Sequence, residues 1–170
     1  IVGVLACDEA ALREAHGPLA AAYGPADLVS AVYPFDMTDY YVEQAGSNMV
    51  RQFLGFEHLI DPGRLAAIKH ATNRMEQALA GSLQRPFPRP VNLDPGYVEP
   101  SKLVLASTKN FAHRVYIGDG MYAEVTMTYN KGRWETFAFT FPDYKSGRYN
   151  AFLNQVRASV VRQQRELKNP

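Results

Sequence analysis

The chain has 170 residues, 46% hydrophobic and 12% aromatic, and its 18 basic and 17 acidic residues leave a net charge of +1. That length suits one domain, and the apolar content excludes intrinsic disorder. The near-neutral balance argues against a dedicated nucleic-acid binder, whose affinity rests on neutralising phosphates, but leaves room for a local basic patch.

Cys7 is the single cysteine, which excludes an intramolecular disulfide and a cysteine-cluster zinc site. At the end of an apolar run it reads as a buried, inert thiol rather than a nucleophile. No run approaches the roughly 20 apolar residues of a membrane helix. IVGVLACDEA has no basic leader and reads as a first strand, not a signal peptide. A cytoplasmic protein with no membrane segment is the expectation.

In chain order, Ile1 to Cys7 is a buried strand, and Asp8 caps a helix carrying Leu12, Ala15, Leu19 and Tyr23 at helical spacing. Gly24-Pro25 stops it, and LVSAVYPF is the second strand. Thr38 to about Asn48 reads as a short helix or turn, and the third strand lies within Val50 to Ile60. Asp61-Pro62 opens a second helix with Leu65, Ile68, Met75 and Leu79 on its apolar stripe. RPFPRP is a stiff extended connection. Val91 to Leu93 is a strand, and Asp94-Pro95-Gly96 a turn. After Pro100, Ser101 can cap a helix through Lys109, or LVLAS can be a strand; the helix is the expectation. Three strands follow at 113–117, 121–129 and 134–141, joined by GDG and NKGR turns, and a final helix spans about 147–167 with Phe152, Val156 and Val160 buried.

The predicted fold is a single α+β domain over residues 1–170: a ferredoxin-like β-α-β-β-α-β core, extended by a three-stranded antiparallel meander and a C-terminal helix, with the helices on one face of the sheet.

Four stretches could carry chemistry. In PFDMTDYYVEQAG, Asp36 ends a strand and Asp39 and Glu43 share a helix face, which suits either capping or a hard cation such as Mg²⁺. In RPVNLDPGY, Asn92 and Asp94 share a face if the strand continues, while Asp94 alone suits a structural turn; Arg89 adds a cation. In ASTKNFAHR, Ser107, Thr108, Lys109, His113 and Arg114 suit a phosphate or carboxylate, or form a polar loop. In MYAEVTMTY, Glu124 lies on a polar strand face that is either wet or lines a cleft, as a metal ligand, a general base or an arginine partner. Neither standard nucleotide fingerprint is present.

The strings PFDMTDYY, RPVNLDPGY, KLVLASTKNFAHRVYIGDGMYAEVTMTY and FTFPDY resemble the bacterial family known as domain of unknown function 4416. One departure is visible: the resemblance leads one to expect Glu-Met-Gly after the paired tyrosines, where Glu43-Gln44-Ala45-Gly46 stands. The resemblance implies a small cytoplasmic bacterial protein and supplies no activity.

The residues themselves point to a pocket for a small anionic, phosphorylated or nucleotide-like ligand. Arg89, Asn92, Lys109, His113 and Arg114 would bind it. Asp36, Asp94 and Glu124 would act as acid and base or hold Mg²⁺ for phosphoryl transfer or hydrolysis. The alternative is a non-enzymatic RNA-binding or protein-interaction module. There Tyr116, Tyr122 and Trp134 would stack on bases, and Arg157, Arg162, Arg165 and Lys168 would supply charge. The oligomeric state is not legible.

Overall fold

The computed structural model describes residues 1–37 and 45–168. Thr38, Asp39 and Glu43, and most of the short helix expected there, lie outside the described residues.

The strands are β1 (Val2–Ala6), β2 (Ala26–Val29), β3 (Tyr33–Pro34), β4 (Val50–Phe56), β5 (Val91–Glu99), β6 (Lys102–Ser107), β7 (Val115–Gly118), β8 (Met121–Asn130) and β9 (Arg133–Thr136). The helices are α1 (Glu9–Glu14), α2 (His16–Tyr23), α3 (Leu65–Leu83), α4 (Pro142–Lys145) and α5 (Asn150–Lys168). Local chemistry sets their starts: Asp8 accepts the Ala11 N–H at 2.7 Å to cap α1. Asp61 accepts the Gly63 N–H at 2.8 Å in the 3-10 turn that leads into α3. Among the described residues no helix is long and apolar enough to cross a membrane.

All nine strands form one antiparallel sheet in the order β2-β4-β1-β5-β6-β8-β7, with β3 beside β4 and β9 beside β8. Helices cover both faces, a correction to the expected single helical layer. Leu54 packs with Leu12, Leu19 and Leu79 of α1, α2 and α3. Its strand neighbour Phe53 packs with Phe152 and Val156 of α5. Successive strand residues point to opposite faces, so the two groups lie on opposite sides of the sheet. Leu65, Ile68, Phe152, Val156 and Val160 are buried as expected, and Met75 is partly buried.

Further sequence expectations fail along the second half of the chain. Residues 102–107 are strand, not helix. The apolar run LVLA is buried throughout, so its periodicity favours neither form. The third strand of the meander stops at Thr136 and gives way to a turn closed by the Thr140 hydroxyl, which accepts the Phe137 N–H at 2.9 Å. β8 also does not lie between β7 and β9: β6 occupies one of its edges, and β7 and β9 share the other.

Asp94-Pro95-Gly96 is not a turn but the middle of β5. Ile1 and Gly96 exchange backbone bonds at 3.1 and 3.0 Å, which fixes the alternation along the β1–β5 ladder. Pro95 and Leu93 therefore turn their backbone polar groups away from β1, towards β6. Proline has no proton to offer there, and pairing with β6 begins only at Gly96↔Leu105. From Pro95 back to Val91, β5 and β6 diverge. Gly96 is needed for a different reason from turn geometry: a Cβ there would collide with the Val104 carbonyl oxygen and the Leu105 side chain. Gly96→Ala is expected to cost about 1–3 kcal/mol, the usual range for overpacking, read as a lower urea midpoint with an unchanged slope. A variant as stable as the parent would mean that the two strands do not approach this closely.

Candidate functional site

The divergence of β5 and β6 opens a cleft of about 480 Å³. Seven of the eight residues singled out from sequence line it: Arg89, Asn92, Asp94, Lys109, His113, Arg114 and Glu124. They come from β5 and its approach, the loop after β6, and β8. Asp36 does not join them; it is exposed and pairs with Arg148 at 3.2 Å. The expected metal set of Asp36, Asp94 and Glu124 is therefore not assembled, because each carboxylate is held by a different arginine. Among the described residues no three His, Cys, Asp or Glu side chains are placed to hold a metal ion.

Side chains of α3 finish the broken sheet edge. Lys69 Nζ donates to the Leu93 carbonyl at 2.7 Å, and the Leu93 N–H donates to Glu76 Oε1 at 2.8 Å. The two groups that β6 leaves unpaired are thus satisfied by a helix. Arg89 grips Glu76 Oε2 through Nε at 2.9 Å and Nη2 at 2.6 Å. Burial pushes the Glu76 carboxyl above its ordinary value, outweighing the pull of Lys69 and Arg89.

The outer end of the cleft is built on Glu124. A register shift in the β6–β8 ladder pairs Leu103 with Met127 and Val104 with Val125, leaving Thr126 as the extra residue of a bulge. Glu124 is 4% exposed, so the polar face of β8 is not wet at this point. Its Oε2 accepts from Arg114 Nε at 2.8 Å and from His113 Nε2 at 3.1 Å, and Oε1 accepts from the Thr126 hydroxyl at 3.3 Å. Arg114 Nη1 also donates to the Lys109 carbonyl at 3.0 Å, which ties the loop to the strand. His113 lies flat on Phe139, with centroids 4.1 Å apart and 7° between planes, and Phe139 stacks in turn on Phe137. Phe111, Phe139 and Phe141 are exposed at this end.

The inner end is built on Arg51, 4% exposed, in the middle of the sheet. Nη2 meets Asp94 Oδ2 at 3.2 Å and Nη1 meets Asp143 Oδ2 at 3.3 Å. The guanidinium also lies 4.8 Å from the Phe35 ring centroid. Burial disfavours its charge, yet Tyr144, Asp94 and Asp143 outweigh that and hold its pKa above the ordinary arginine value. The Tyr149 hydroxyl donates to Asp143 Oδ2 at 3.0 Å. Three buried polar atoms of lining residues have no hydrogen-bond partner among the described residues: Arg51 Nε, Asn92 Nδ2 and Tyr144 OH.

Sequence reasoning missed Arg51, Lys69, Asp143 and Tyr144. Arg51 and Lys69 are lone cations among apolar neighbours, a pattern shared with any solvated position. Asp143 and Tyr144 lie within FTFPDY, one of the strings of the family resemblance, but fall between the predicted strand at 134–141 and the predicted final helix, where no role is assigned to them. Of the residues assigned to base stacking, Trp134 is buried and donates to Asn154 at 3.0 Å. On α5, Arg157 donates to the Pro100 carbonyl at 2.6 Å and lies over the Tyr129 ring. Cys7 is buried, and burial raises its thiol pKa, which disfavours the thiolate.

Each of the four strings behind the resemblance contributes to the cleft, through Phe35, through Arg89, Asn92 and Asp94, through 105–111, His113, Arg114 and Glu124, and through Phe139, Phe141, Asp143 and Tyr144. No curated protein and no solved structure matches the chain. The profile of the domain of unknown function DUF4416 matches residues 1–159, and the chain belongs to that family.

Proposed function

We propose that the cleft between β5 and β6 binds a small anionic ligand, phosphorylated or nucleotide-like. The observation that carries this is convergence. Arg51, Lys69, Arg89 and the loop pair Lys109 and Arg114 come from four separate segments and line one cavity against three carboxylates, Asp94, Glu124 and Asp143. Solvated charges have no reason to meet, and a pocket of this volume suits a small ligand. Lys109 is exposed at the outer end, where Arg114 lies beside it, so the anion belongs there. The strand order β2-β4-β1-β5, with helices between β1 and β2 and between β4 and β5, supports a ferredoxin-like core beneath the cleft.

Binding, rather than turnover, is the function proposed. The catalytic expectation of phosphoryl transfer or metal-assisted hydrolysis gains no support from the geometry, because Asp36, Asp94 and Glu124 each answer a neighbouring arginine.

Titration calorimetry with ribose 5-phosphate, against ribose as the uncharged control, tests this reading. Lys109→Ala is expected to weaken phosphate-ester binding about tenfold, the effect of one charge-assisted contact. Arg114→Ala also abandons buried Glu124, so it should lower both affinity and stability. Equal binding of ribose and its phosphate would end the anion reading, as would no binding of any phosphate ester.

A further inference from the structure

We infer that the inner end of the cleft takes a planar amide or lactam edge, so that the ligand is a phosphorylated compound carrying such a head group. This rests on the anion-binding reading and specifies what the rest of the ligand is.

Arg51 Nε, Asn92 Nδ2 and Tyr144 OH are buried hydrogen-bond donors without an acceptor among the described residues. Native folds rarely leave such groups unanswered, and all three belong to residues that line one cavity, which points to an acceptor from outside the chain. The register places them on one side of the sheet. Arg51 and Asn92 are both paired with Leu5, so they occupy the same row on either side of β1 and point to the same face. Tyr144 packs on that face, against Phe53.

The local charge decides what kind of acceptor fits. Arg51 is one cation between two carboxylates, Asp94 and Asp143. A second anion would be repelled there, whereas an uncharged carbonyl oxygen would not. Such an oxygen has two lone pairs and can satisfy more than one of these donors. Asp94 supplies the complementary half. Its Oδ2 is taken by Arg51, and no hydrogen bond to its Oδ1 occurs among the described residues. Asn92 and Asp94 are two apart on β5, so their side chains share a face. A donor beside an acceptor matches a C=O beside an N–H, the edge of a lactam. A bisphosphate or a plain sugar phosphate lacks that edge.

The test compares inosine and uridine monophosphates, which carry a lactam edge, with adenosine monophosphate, ribose 5-phosphate and fructose 1,6-bisphosphate, by calorimetry. The lactam nucleotides are expected to bind at least about tenfold tighter than the other three. Tyr144→Phe and Asn92→Leu should bring them down to the affinity of ribose 5-phosphate. Tyr144→Phe should do so without lowering the melting temperature, because it deletes a hydroxyl that the ligand-free fold leaves unpartnered. Ribose 5-phosphate or adenosine monophosphate binding as tightly as inosine monophosphate would overturn the lactam edge and leave the anion reading intact. No binding by any phosphate would overturn both. A Tyr144→Phe protein that melts lower yet keeps the preference would assign the hydroxyl to the fold alone.

Discussion

Replacing Arg51 with methionine is expected to destabilise the protein by about 3–5 kcal/mol, the range for removing one member of a buried charge network. The guanidinium is the shared counter-ion of Asp94 and Asp143, and Asp143 is 2% exposed. Methionine keeps much of the apolar stem but leaves two carboxylates facing one another with no cation between them. Urea denaturation at neutral pH measures the loss. A gap under about 1 kcal/mol at neutral pH would mean that the pair is screened by solvent, as surface ion pairs are.

Glu76→Ala is expected to cost a similar amount, about 3–5 kcal/mol. The substitution strips the Leu93 N–H of its acceptor and leaves buried Lys69 and half-exposed Arg89 without their carboxylate. Burial raises the Glu76 pKa in the folded state. Its contribution to stability is therefore full below the ordinary glutamate value and is lost as pH rises through the raised one. The gap between parent and variant should be largest at low pH and narrow on going up. A gap that stays constant or widens as pH rises would contradict this assignment.

Much of the frame was legible because it depends on short-range chemistry. Asp8 and Asp61 announce helix starts, and Leu65, Ile68, Phe152, Val156 and Val160 mark buried stripes by spacing alone. The sheet's central break was not legible. Asp94-Pro95-Gly96 has the composition of a turn, and only the pairing of Ile1 with Gly96 shows that proline's missing donor faces the edge where none is required by β1. For the cleft, residues in polar stretches could be found and those in apolar ones could not. Lys109, His113 and Arg114 stand together in sequence, whereas Arg51 and Lys69 gain meaning only from Asp94, Asp143 and Glu76, 43, 92 and 7 positions away respectively. Asp36 shows the converse, a carboxylate well placed in sequence that the fold turns outward to Arg148.

The proline in β5 also has a kinetic consequence. Because Pro95 can give β6 no hydrogen bond, and Leu93 is already satisfied by Lys69 and Glu76, the two strands cannot zip shut across the cleft when it is empty. There is no closed, fully paired sheet competing with the open one, and so no population of sealed molecules that a ligand must wait for. The entrance is held open by a covalent property of one side chain rather than by a balance between two conformations.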